Sequence, residues 1–349
     1  MSLNTTHDAA NNIAHIVYAS DNKFAEILGV SLISLYENSK DINIVVYVLD
    51  SGLTEENRKK IEGISQKYGS VIVWVQAINI AEELRMNVAA DRGSLSQYAR
   101  LFVSRNLPEK LGRVLYLDCD IIVRKSIKEL WEMNLHGKTA AALMDAFSKY
   151  YRRNIDLEEN DTMFNSGVML IDLKRWKEKR IEKRLIEFIS SKHGYIQQGD
   201  QGALNAVLSH DVYCFEPRFN AVTIFFDFSY KEMLIYRKPP RFYEEEAVQK
   251  AVEDPNIIHF TTSFLSKRPW MDGCEHKYTY AWLRFKELSP WKEEPLWIDS
   301  RKQWKLTGAK IIKRLPRGFG IRLAGLLQVY GRPMVNRLRQ QKRQKENPI

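Results

Sequence analysis

Between Ile13 and Val75 the chain alternates short β-branched apolar runs with amphipathic stretches, and this alternation constrains the fold more than any other feature of the sequence. Ile13 to Ala19 reads as a buried strand that stops at Ser20-Asp21-Asn22. Phe24, Ile27, Leu28, Leu32 and Leu35 then recur at helical spacing. Ile44 to Leu49 is a second strand, Thr54 to Tyr68 a second helix and Val71 to Val75 a third strand. Such βαβ units imply a mostly parallel sheet, because parallel neighbours need a crossover. In an open sheet of this kind ligands bind outside the carboxyl ends of the strands. Polar residues just after each strand are therefore the first candidates for function.

The pattern continues with a helical segment from Ser94 to Phe102 and a strand-like stretch from Arg113 to Val123. Strands follow at Ala140 to Met144, Phe164 to Leu173 and Ile257 to Phe260. Lys174 to Ser191 reads as one charged amphipathic helix and Gly199 to Leu208 as another helix. After Trp270 the composition turns aromatic and then basic, which places a soft boundary near residue 280. The expected organisation is a disordered lead-in over 1–12, a catalytic domain over 13–280, a helical extension over 281–335 and a disordered basic tail over 336–349.

Net charge is +10, and residues 301–349 alone hold 14 Lys/Arg against one acidic residue. A near-neutral body thus carries a basic tail, and the two need separate explanations. Three widely spaced cysteines, Cys119, Cys214 and Cys274, argue against a disulfide framework or a Cys-based zinc site, and fit a reducing cytoplasm. There is no apolar run of spanning length.

One stretch breaks the core pattern. Asp118-Cys119-Asp120 is flanked by the apolar runs Val114 to Leu117 and Ile121 to Val123. In extended chain, residues two apart face the same side, so both carboxylates point at one place and Cys119 at the other. Two carboxylates in apolar surroundings repel and lose hydration unless a cation joins them. Oxygen ligands favour magnesium, manganese or calcium, and a cation held this way suits a diphosphate. The competing view is a pair of solvated turn aspartates.

Six segments together resemble the retaining glycosyltransferases of family 8, which include bacterial lipopolysaccharide galactosyl- and glucosyltransferases and glycogenin. They are Ala19-Ser20-Asp21, Ser96 to Leu101, Leu115 to Asp120, and Phe164-Asn165-Ser166-Gly167-Val168. Gly199-Asp200-Gln201 with Leu204-Asn205, and His259-Phe260-Thr261 with Lys267-Arg268-Pro269-Trp270, complete the set. The resemblance spans roughly residues 13–270. It implies a GT-A type α/β fold, a Rossmann-like mixed, mostly parallel sheet flanked by helices, here with a helical basic C-terminal extension.

It also implies roles. Asp118, Asp120 and His259 would hold a manganese ion, with magnesium as the other choice. Ala19 and Asp21 would lie near the uracil and ribose of a UDP-sugar donor. Arg100, Asp145, Asn165 and Gly167 would line the donor sugar. Asp200 and Gln201 would sit near the anomeric carbon as the catalytic pair, Asp200 as nucleophile in a double displacement or Gln201 as stabiliser in same-face attack. Lys267 is assigned to the diphosphate, although the family's compact His-x-x-Gly-x-x-Lys-Pro-Trp is lengthened here and Arg268 is the neighbouring alternative. Asp200-Gln201-Gly202 and Lys23 also depart from common family residues.

The expected reaction moves glucose or galactose from a UDP-sugar to a saccharide acceptor on lipopolysaccharide or another lipid-linked glycan. The rival readings are another metal-dependent nucleotide enzyme, such as a nucleotidyltransferase, and an inactive sugar- or membrane-binding relative. In the tail, cations interleave with Ile311, Ile312, Leu323, Leu326, Leu327 and Tyr330. Short amphipathic pieces on an anionic membrane surface are expected there, with a helical extension packed on the core as the alternative for 304–330, since Pro316, Gly318, Gly320 and Gly331 speak against one long helix. That places the protein in the cytoplasm, peripheral on the inner face of the cell membrane. No nucleic-acid partner is expected, and oligomeric state is left open.

Overall fold

The structure, a computed structural model, describes residues 13–89, 94–299 and 303–346. The lead-in expected over 1–12 and the last three tail residues lie outside these. The main sheet contains β1 (Ile13–Ser20), β2 (Asn43–Asp50), β3 (Val71–Gln76), β4 (Arg113–Leu117), β6 (Ala140–Met144), β7 (Phe164–Asp172) and β8 (Val212–Cys214). A small second sheet joins β5 (Ile121–Val123), β9 (Ala221–Val222) and β10 (Ile257–His259). The order in the main sheet is β3-β2-β1-β4-β7-β6-β8. Only β7 runs antiparallel to its neighbours in it. The order reverses between β1 and β4, so the carboxyl ends of these two strands open the crevice where ligands bind in such sheets.

The first helix, Ala25–Asn38, is buried on nearly every side, from Ala25 through Tyr36. A helix apolar all round must be enclosed. Here it lies against both sheets, and its far end is tied to β5 by Asn38 Nδ2 donating to the Val123 carbonyl at 3.0 Å. Ser34 Oγ accepts from Val123 N at 2.9 Å.

Three sequence expectations change. Arg113 to Val123 is two strands in two sheets, not one. The single helix expected over 174–191 breaks into Leu173–Glu178 and Ile181–Ser191 at Arg180, whose φ of 51° turns the chain. The turn lets Ile181, Leu185 and Ile189 pack inward as a new face. The boundary near residue 280 falls inside the helix Thr279–Glu287, whose Trp282 is 1% exposed in the core that also holds the first helix.

The C-terminus also differs from expectation. From Arg317 to Glu346 it is one continuous helix with a π turn at Leu327–Gly331. Pro316 precedes the first turn, where a missing N–H costs nothing. Gly320 and Gly325 lie where a Cβ would meet the Ile312 and Ile235 carbonyl oxygens at 2.8 and 2.9 Å, so these glycines permit packing rather than break the helix. The helix also runs through residues expected to be disordered. Tyr195 donates to Asn336 Oδ1 at 3.1 Å, and Arg343 Nη1 reaches the Asn87 carbonyl at 3.4 Å.

One face of this helix, including Ile321, Ala324, Gln328, Val329 and Pro333, is buried against the body. The opposite face exposes Phe319, Leu323, Leu326, Leu327, Tyr330, Met334 and Leu338. The π turn keeps the buried face in line: its extra residue turns later positions back by about 100°, which brings Pro333 round to the side of Ile321 and Gln328. No helix among the described residues is long and apolar enough to cross a membrane.

Candidate functional site

At the end of β4 the chain turns through Asp118, Cys119 and Asp120 before β5 departs in the other sheet. The extended arrangement expected for this triplet is absent because its two apolar flanks serve different sheets. Leu117 pairs with Val168 of β7, whereas Ile121 pairs with His259 of β10. The turn is pinned by Asp118 N donating to the Gly167 carbonyl at 2.7 Å and Phe260 N donating to the Asp120 carbonyl at 2.9 Å. Cys119 does face the opposite way: its thiol donates to the Ala19 carbonyl, and burial raises its pKa well above the ordinary value. Such a thiol is inert.

His259 enters from the last strand. Its Nε2 lies 3.1 Å from Asp120 Oδ1 and 3.7 Å from Asp118 Oδ2. One ligand atom from each of the three residues falls within 4.8 Å of the others. Asn220 Oδ1 sits 3.0 Å from His259 Nδ1, which selects the Nδ1–H form and leaves the Nε2 lone pair facing the carboxylates. Asn220 in turn donates to Asn165 Oδ1 at 2.9 Å. Nothing in Arg218-Phe219-Asn220 marks that asparagine from sequence.

Two carboxylates and one oriented imidazole form a donor set that fits manganese or magnesium. Gly167 keeps the space between them open. A Cβ there would lie 2.1 Å from His259 Cε1 and 2.8 Å from Asp118 Oδ2. The backbone can come so close because β7 bulges: between Ala142 and Leu143 of β6, the partner in β7 jumps from Met169 to Asn165. Bulges beside functional sites commonly re-aim the chain in this way.

Behind the pair lies Arg100. Its Nη2 is 2.7 Å from Asp118 Oδ1 and its Nε 2.8 Å from Asp200 Oδ2, while Nη1 donates to the Ser166 carbonyl at 2.6 Å. The guanidinium also stacks over Tyr116, 4.3 Å from the ring centroid. Burial opposes its charge, but Asp118 and Asp200 outweigh burial and hold its pKa above the ordinary value. Next along the wall, Gln201 Oε1 accepts from Ser166 N at 3.2 Å and its Nε2 reaches Asp145 Oδ2 at 3.5 Å. Asp145 is buried, and that burial raises its pKa despite Arg237 and a hydrogen bond from Asn165.

Asp21, at the mouth of β1, accepts from Phe24 N at 3.2 Å through Oδ1 and from Ser94 at 2.7 Å through Oδ2. It caps a short turn and also lines a cavity of about 840 Å³ beside Ser51, Gln76, Asn79 and Ser96. This cavity lies at the carboxyl ends of β1, β2 and β3, next to Asp118 and Asp120 in the topology. Lys267, the cation assigned to the diphosphate, is elsewhere: its ammonium donates to the Asp272 carbonyl at 2.7 Å. The lengthened loop brings Arg268 instead, with Nη1 2.9 Å from Asp120 Oδ2.

Residues 15–274 match the family described as Glycosyl transferase family 8. That match covers most of the chain, and the chain belongs to this family. It is similar to General stress protein A of Bacillus subtilis, 28% identical over 80% of this chain and 96% of that protein. It is also similar to a lipopolysaccharide 1,2-glucosyltransferase of Escherichia coli K12, 25% identical over 80% of this chain and 79% of the relative. The crystal structure of the galactosyltransferase LgtC with donor and acceptor sugar analogues superposes with a TM-score of 0.68 at 23% identity, covering 80% of this chain and 99% of LgtC. The fold is therefore the GT-A fold, with a helical C-terminal region added.

Proposed function

We propose that this protein is a metal-dependent retaining hexosyltransferase. It moves glucose or galactose from a UDP-sugar to a saccharide acceptor that belongs to lipopolysaccharide or another lipid-linked glycan. The observation that carries this reading is the convergence of Asp118, Asp120 and His259 at the sheet's switch point, with a cavity at the ends of β1 to β3. The names of the relatives, lipopolysaccharide 1,2-glucosyltransferase and 1,3-galactosyltransferase, support the acceptor class.

In this reading Asp118, Asp120 and His259 would hold a manganese or magnesium ion, which would supply positive charge to a departing diphosphate. Arg268 stands beside Asp120 to take part of the same charge, in place of Lys267. The cavity beside Asp21 receives the uridine, with Ala19 at its strand end. Asn165 orients His259 through Asn220, and Gly167 keeps donor and ligands in close approach. Asp200 is buried beneath Arg100 and ion-paired to it, which suits positioning better than nucleophilic attack. Gln201, bridging Ser166 and Asp145, is then the side chain at the anomeric centre, and the acceptor attacks from the face the diphosphate leaves.

The exposed stripe from Phe319 to Leu338 lies among Arg322, Arg332, Arg337, Arg339 and Lys342. Such a face supports peripheral binding to the anionic, cytoplasmic surface of the cell membrane, where lipid-linked acceptors present their sugars. The testing experiment is a panel of UDP-sugars with manganese, scored for UDP release with and without a chelator. UDP release from one hexose donor that stops on chelation supports the proposal. Release that persists in chelator, or pyrophosphate as product, overturns it.

A further inference from the structure

Several arginines have an acidic partner. Arg58, Arg100, Arg105, Arg218, Arg268 and Arg317 each form an ion pair with Asp or Glu. Arg237 does not. It ends the helix Tyr230–Arg237, and its guanidinium carbon lies 4.9 Å from the Phe147 ring centroid and 5.3 Å from that of Tyr236. Its Nε is buried without a hydrogen-bond partner. No carboxylate of a described residue forms an ion pair with it.

A guanidinium held against two rings, with an N–H left unmade, has lost hydration without regaining a full set of contacts. Its charge acts on Asp145. Burial raises the Asp145 pKa while Arg237 lowers it, and the two side chains form no ion pair. Positive charge accumulates nearby as well. Arg332 is exposed on the C-terminal helix, and its field, like that of Arg237, reaches the Tyr151 hydroxyl. That hydroxyl accepts from Gln328 at 2.7 Å, which fastens the helix to this wall.

Position gives the patch its meaning. Phe147 follows Asp145 by two residues, and Asp145 touches Gln201, the side chain at the proposed reaction centre. A group bound by Arg237 would thus lie past the donor sugar, on the side away from the nucleotide cavity. We propose that Arg237, with Arg332 beside it, receives an oxyanion, phosphate or carboxylate, carried by the acceptor saccharide. The planar fork of the guanidinium is suited to either group. The word acceptor rests on the hexosyltransferase reading; the anion site does not.

The test compares glucose, glucose 6-phosphate and glucuronate as acceptors at equal concentration and ionic strength, with manganese and the active UDP-sugar. UDP release above donor hydrolysis should be at least about 10-fold greater with one anionic sugar than with glucose, the worth of one charge-assisted pair. Whether the phosphate or the carboxylate gains more identifies the anion. In Arg237→Gln that ratio should fall toward unity; Arg237→Lys should keep part of it, and Arg332→Ala, at an exposed position, should lower it a few-fold. A ratio near unity in the wild type overturns the proposal. So does a ratio that survives in Arg237→Gln with a native circular dichroism spectrum and melting temperature.

If no UDP-sugar is turned over, the transferase reading fails by itself. Titration of glucose 6-phosphate and glucuronate into wild type and Arg237→Gln, followed by ligand-detected NMR, then decides the anion site. Weakening by about 10-fold or more in the variant upholds it. Equal binding, or none to the wild type, overturns it.

Discussion

The donor side of the molecule and its C-terminal arm treat charge in opposite ways. Around Asp118 every charged side chain is buried or half-buried and engaged: Arg100 joins Asp118 to Asp200, Arg268 meets Asp120, and His259 is steered by Asn220. Along the arm, cations and large apolar side chains stand in solvent on the same helix. The first arrangement is organised before any ligand arrives, so it holds geometry and gives up little on binding. The second is arranged for a surface that comes from outside.

That contrast can be broken most directly at Asp120. Asp120→Ala should lower manganese-dependent UDP release by more than about 1,000-fold, because several kcal/mol of charge stabilisation leave with the ligand. A far-ultraviolet circular dichroism spectrum should stay native. Activity within about 10-fold of wild type would remove the cation from the reaction.

Gly167→Ala sharpens the same side without removing a ligand atom. The added Cβ must push His259 or Asp118, and both are held. Manganese affinity, read by electron paramagnetic resonance, should weaken by about 10- to 100-fold, the usual scale for disturbing groups that orient ligands. Unchanged affinity would mean that the bulge in β7 has no part in shaping the site.

On the arm, the triple change Leu326→Gln, Leu327→Gln and Met334→Gln should lower co-sedimentation with anionic vesicles by about 10-fold or more, since exposed apolar area drives such binding. Neutral vesicles should capture both forms weakly. Equal capture of wild type and variant by anionic vesicles would assign the stripe to something other than a membrane.

A further effect concerns stability behind the site. His276 packs edge-on against Phe226 and Phe260, and its Nδ1 accepts from Tyr278 N at 3.1 Å. Burial lowers its pKa from 6.5 to about 4. Between those values the unfolded chain takes up a proton that the folded chain refuses. Stability present above pH 6.5 is therefore lost as pH falls toward 4, by up to roughly 3 kcal/mol. His276→Gln should melt with a flatter pH dependence across this window. Parallel melting curves for the two proteins would sink the assignment.

Much of the catalytic body was legible in the sequence. β1 to β3 and their helices announce themselves through local periodicity, and Asp118, Asp120 and His259 through family-like segments. Lys267 and Arg268 were not separable in the sequence, because which of two neighbours faces Asp120 depends on how the loop turns. The helix over 317–346 was misread because its glycines look like breaks until their neighbours, Ile312 and Ile235, are in place.

By itself, then, the sequence determined the parallel α/β core, the carboxylate pair and the basic end, since each is written in short-range pattern or charge. Tertiary structure alone decided that Asp118 and Asp120 meet across a turn, that Asn220 aims His259, and that Arg237 stands near Asp145. These depend on contacts between residues far apart in the chain, and on side-chain directions that only packing and strand register fix.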